Sequence, residues 1–71
     1  MTQHNPEKEL IDLLNKSTAG AELRCAAAQG LGFIPTASAQ QALIQLMNNT
    51  TAGVQIRSAC AIALGRSFGR R

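Results

Sequence analysis

The chain repeats itself. Shifted by 33 residues, the segment Glu9–Gly32 (ELIDLLNKSTAGAELRCAAAQGLG) aligns without gaps on Ala42–Gly65 (ALIQLMNNTTAGVQIRSACAIALG), and twelve of the 24 positions are identical. The shared residues include Leu10/Leu43, Ile11/Ile44 and Leu13/Leu46, the turn Thr18-Ala19-Gly20 against Thr51-Ala52-Gly53, then Arg24/Arg57, Ala26/Ala59, Leu31/Leu64 and Gly32/Gly65. A period of this length marks supersecondary units that stack, because one unit cannot bury its apolar face alone.

Each unit reads as helix, turn, helix. Asn5 is a good N-cap, Pro6 suits the first helical position, and the spacing of Leu10, Leu13 and Leu14 predicts a helix to about Lys16. The polar turn 17–20 breaks the chain. A second helix runs from about Ala21 to Phe33, with Leu23, Ala26, Ala27, Gly30, Leu31 and Ile34 on one face, and Pro35 ends it. A third starts at Thr36 or at Ser38, where Ser38-Ala39-Gln40-Gln41 fits a capping box. A fourth covers about Val54–Arg66, and residues 67–71 form a basic tail that frays. No alternation of strand type occurs. The pattern predicts an all-α chain of four helices in two antiparallel hairpins. Ala26, Ala27, Leu31, Leu43, Leu46, Ala59, Cys60 and Leu64 are expected to be buried.

The runs Leu23-Arg24-x-Ala26-Ala27-x-x-x-Leu31-Gly32 and Ile56-Arg57-x-Ala59-x-x-x-x-Leu64-Gly65 resemble HEAT repeats, and the short bacterial type of phycobilisome lyase subunits in particular. The resemblance covers about residues 9–65 and implies a right-handed α-solenoid fragment of about two repeats. In that family the Leu-Arg-x-Ala-Ala helix opens each unit, so residues 21–48 make one whole repeat between two halves. The family's usual Asp before the Val-Arg pair is absent from both turns. The resemblance also implies protein binding or scaffolding, with an accessory role in a bilin lyase as a lower-ranked alternative.

Composition narrows the function. Seventy-one residues make one domain, with residues 1–5 as a leader, and a chain this short buries only about 60% of its unfolded surface. Twelve residues are Ala, so the core is thin. There is no apolar run of membrane-spanning length and no signal-peptide pattern at the N-terminus, which predicts a cytoplasmic protein with Cys25 and Cys60 as free thiols. The lone His4 and two distant cysteines supply neither a metal site nor a nucleophilic constellation. The four acids suit helix N-terminal dipoles better than a catalytic pair. No enzyme activity and no cofactor are expected.

Three groups of residues remain as candidates. Gln41, Gln45 and Asn48 form a polar row opposite the core of helix three. On helix four, Ser58, Ala61, Ile62 and Gly65, with Phe68 beyond, make an apolar back surface, and Ile62 stands where the first unit has Gln29. Both surfaces are candidates for binding another protein, and the second predicts homo-oligomers through a two-fold dimer. Arg66, Arg70 and Arg71 could hold anions, and with Arg57 they allow nucleic-acid backbone binding as a rival reading. Arg24 and Arg57 recur at one repeat position and are expected to bond turn carbonyls.

Overall fold

In a computed structural model of the chain, residues 5–69 are described. They form four helices and no strand: α1 Pro6–Leu14, α2 Ala21–Leu31, α3 Ala37–Met47 and α4 Val54–Gly69. The helix starts follow local chemistry. Asn5 is extended, and its Oδ1 accepts from the amides of Glu7 (3.1 Å) and Lys8 (3.3 Å). Those are two of the donors a helix start leaves unsatisfied. Thr36 decides the start of α3. It is extended, and its hydroxyl accepts from the amide of Ala39 at 3.2 Å. The Ser38 alternative is therefore not used. Gly53, before α4, has φ +93°, a backbone state that only glycine adopts at no cost.

The helices pack in two layers. The α2–α4, α3–α4 and α1–α2 contacts are extensive, whereas α1–α3 and α2–α3 meet only at their edges. Leu14, Leu31, Leu43 and Cys60 are the largest fully buried side chains. Six alanines (Ala27, Ala28, Ala39, Ala42, Ala59 and Ala63) fill most of the remaining core, so the helices approach closely. At Gly32 the approach is closest: a Cβ there would lie 3.0 Å from the Ala63 carbonyl oxygen and 3.1 Å from its Cα. This contact sets the α2–α4 packing.

Several expectations are corrected. Helices α1 and α2 end two residues earlier than the pattern suggested, at Leu14 and Leu31. Ala26 is exposed, Leu64 is only half-buried, and Leu23 is 52% exposed, while their neighbour Ala28 is buried. The reason is positional. In a stack, a helix such as α2 is covered on two sides. Here α4 covers the Ala28–Leu31–Gly32 side, and no described helix covers the Leu23–Ala26 side. In the second unit the counterparts Ile56 and Ala59 are buried, because α2 lies against them.

The tail also differs. Helix α4 does not stop at Arg66 but continues to Gly69, and Ser67 is buried with its hydroxyl oxygen accepting from Gln40 Nε2 at 3.1 Å. Pro35 closes the first unit, whereas its repeat counterpart is Phe68, which neither lacks an amide nor excludes the helical region for the residue before it. Residues 1–4 of the leader and Arg70 and Arg71 of the tail lie outside the described residues.

Candidate interaction surface

The outward side of α4 carries a stripe at helical spacing. Val54, Ala61, Gly65 and Phe68 share it, with Ser58 at its edge, and all five are exposed. Val54 is 77% and Phe68 62% exposed. Beside the stripe, Met47 of α3 joins Val54, Arg57, Ser58 and Ala61 around a shallow hollow. A Cβ added at Gly65 would meet nothing within 4 Å. The repeat counterparts of Ala61 and Gly65 are Ala28 and Gly32, both buried under α4. The middle of the stripe, Ala61 and Gly65, is thus the surface that a further helix would cover, with Val54 and Phe68 at its two ends.

Ile62 falls just off this stripe. Its counterpart Gln29 stays exposed although α4 is stacked on α2, so Ile62 (59% exposed) belongs to the outer flank. Gln41, Gln45 and Asn48 are all exposed on α3 and form a separate polar row, with Asn48 capping the helix. Their counterparts Lys8, Asp12 and Asn15 continue the row on α1, where Lys8 Nζ lies 3.3 Å from Asp12 Oδ2. The two rows belong to one layer, tied where the Thr36 hydroxyl donates to the Glu7 carboxylate. Sequence reasoning missed Val54, and it placed Leu23 and Ala26 in the core. A comparison of the two units, asking which helix has a neighbour on each side, would have found Leu23 and Ala26.

Arg24, Arg57 and Arg66 are committed to structure. Arg24 Nε donates to Leu14 O at 2.9 Å, and Arg57 Nε donates to Met47 O at 2.8 Å. The two bonds are repeat equivalents and tie each hairpin across its turn. Arg66 sits over the Phe33 ring, 5.3 Å from its centroid. Arg57 and Arg66 are nine residues apart on α4, which puts them on opposite sides of the helix. The described residues therefore offer no basic row along α4.

The chemistry available is slight. Burial pushes the Cys60 thiol up to about 11, with Cys25 adding to the rise and Arg24 opposing it, so this thiol stays protonated and unreactive at neutral pH. Cys25 is half-buried and also free. Among the described residues no cluster of His, Cys, Asp or Glu could hold a metal ion, and no helix is long and apolar enough to cross a membrane.

Residues 23–49 match the family described as PBS lyase HEAT-like repeat. This span covers α2 and α3 with the turn between them, the segment whose Leu-Arg-x-Ala-Ala run opens a unit. No curated protein and no solved structure matches the chain.

Proposed function

With residues 23–49 forming a HEAT-like repeat, we propose that this chain is a non-catalytic binding module that engages another protein through the end face of α4. One observation carries the reading: Ala61 and Gly65 of the α4 stripe are exposed, while their counterparts Ala28 and Gly32 on α2 are buried by the stacked α4. A continuous apolar face of this kind is a binding surface or an aggregation liability. Its flatness and small residues suit a partner that is itself helical, because Ala and Gly let two helices approach closely. An apolar face favours a protein over a polyanion. A compartment that keeps Cys25 and Cys60 reduced, such as the cytoplasm, fits the free thiols.

The test is site-specific photo-crosslinking in cells that express the protein natively. A photoreactive amino acid replaces Val54, Phe68 or, for comparison, Gln45 on the polar row. Protein adducts at Val54 and Phe68 with little at Gln45 are expected. Adducts at Gln45 alone would move the binding surface to the α1–α3 layer, and no adduct at Val54 or Phe68 would refute the reading.

A further inference from the structure

We infer that the partner on the α4 face is a second copy of this chain, stacked head-to-tail so that its α2 docks on α4 of the first copy. The inference rests on the binding-module reading and names the partner of that face. Inside one chain, the Ala28–Leu31–Gly32 side of α2 packs against the Ile56–Ala59–Ala63 side of α4. The counterpart of the first surface is Ala61–Leu64–Gly65, and the counterpart of the second is Leu23–Ala26–Gly30. Ala61 and Gly65 lie uncovered at one end of the molecule, and Leu23 and Ala26 lie uncovered at the other. One chain therefore carries both halves of an interface that it already makes once.

Three observations favour this occupant. The first is Gly65. Glycine inside a helix weakens it relative to Ala, yet no described residue lies within 4 Å of a Cβ at this position. Its counterpart Gly32 needs to be glycine, because Ala63 lies against it. Repeating that step between copies sets Gly65 against the α2 backbone at Gly30, whose Cβ side is already filled by Leu10 of its own chain at 3.2 Å, so the room for close approach comes from Gly65. The second is the Arg66–Phe33 pair, which spans one repeat step, 5.3 Å from charge to ring centroid. The same step sets Arg66 of one copy by Phe33 of the next, continuing a ladder of alternating cation and ring.

The third is charge. Residues 1–24 hold all four acids against Lys8, Lys16 and Arg24, a net of −1, and residues 25–71 hold four arginines and no acid, a net of +4. Head-to-tail stacking brings the acid-bearing segment of one copy to the α4 of another, whose described residues carry Arg57 and Arg66 and no acid. A two-fold dimer with α4 on α4 would bring two copies of this acid-free segment together, and like charges across an interface oppose it. A head-to-tail contact is heterologous, so it leaves one free face at each end and continues into longer assemblies.

Complementation between blocked variants tests this. Gly65→Gln blocks the α4 face, and Leu23→Glu blocks the α2 face. Both positions are exposed, so the helical circular-dichroism spectrum should persist, and Ala61→Gln replaces Gly65→Gln if it does not. By sedimentation velocity over about two decades of concentration, the wild type is expected to grow beyond a dimer. Each variant alone should associate roughly tenfold or more weakly. Their equimolar mixture should form a 1:1 dimer and stop there, because each variant keeps one intact face. A mixture that stays monomeric overturns the proposal, and so does a Leu23→Glu protein that assembles like the wild type. A wild type that is monomeric throughout also overturns it. In that last case, crosslinking of a different protein at Phe68 leaves the binding-module reading standing, whereas no crosslinking at Phe68 removes both.

Discussion

Gly32 and Gly65 occupy one repeat position but have different surroundings. Gly32→Ala would push a methyl group onto the Ala63 backbone at 3.0–3.1 Å, and backbone cannot swing aside as a long side chain can. We expect Gly32→Ala to destabilise the fold by about 1–3 kcal/mol. Gly65→Ala places its methyl in open space and gains helix propensity, so it should stabilise the monomer by up to about 1 kcal/mol. Urea midpoints at a concentration where the protein is monomeric would show opposite signs. Cys60 gives a second prediction at this scale. Its thiol ionises near pH 9 in an unfolded chain and at about 11 in the fold. The contribution of Cys60 is therefore fully present below about pH 9 and is lost as pH rises toward about 11, because in that window only the unfolded state gains by ionising. The fall amounts to about 2–3 kcal/mol. In Cys60→Ala, which copies Ala27 of the first unit, the alkaline slope should be much flatter in urea titrations between pH 9 and 11.

The two units differ most in how their last helices end. The first ends at Leu31, ahead of Pro35, whereas α4, with Phe68 at the proline's position, runs on to Gly69, more than a turn past the counterpart Leu64. That extra turn brings Ser67 to Gln40, the counterpart of Glu7, which in the first unit reaches Thr36. In both units a first-turn polar residue of the α1–α3 layer thus holds the chain at the far end of the next helix, by a different bond. We expect Phe68→Pro to fray α4 back to about Gly65, to release Ser67, and to cost about 1–3 kcal/mol. The checks are a lower helical ellipticity and the appearance of fast amide exchange confined to residues 66–69. A variant in which those amides stay protected would show that packing, not the missing proline, holds the last turn.

At the scale of the molecule, 38 × 33 × 17 Å is a slab with no deep interior. Stability in such a stack depends on how many neighbours each helix has. Helix α2 packs on α1 and α4 and touches α3, while α1 rests mainly on α2. Amide exchange in the monomer should therefore be slowest at Ala27–Leu31 and fastest in α1. Uniform protection across the four helices would mean that the slab opens only as a whole.

Much of this was legible in the sequence because it is local or periodic. The helix start at Asn5–Pro6, the four-helix order and the identity of Arg24 with Arg57 follow from capping chemistry and the 33-residue step. So does the burial of Ala27, Leu31, Leu43, Leu46, Ala59 and Cys60. Within the candidate surface, Ser58, Ala61, Gly65 and Phe68 were visible as an apolar back on the last helix. The exposure of Leu23 and Ala26, the outward place of Val54, the seat of Arg66 on Phe33 and the bond from Gln40 to Ser67 were decided only by tertiary structure. An apolar stripe records which sides of a helix can be buried. Which sides are buried depends on the neighbours present, and the first and last helices of a stack each lack one.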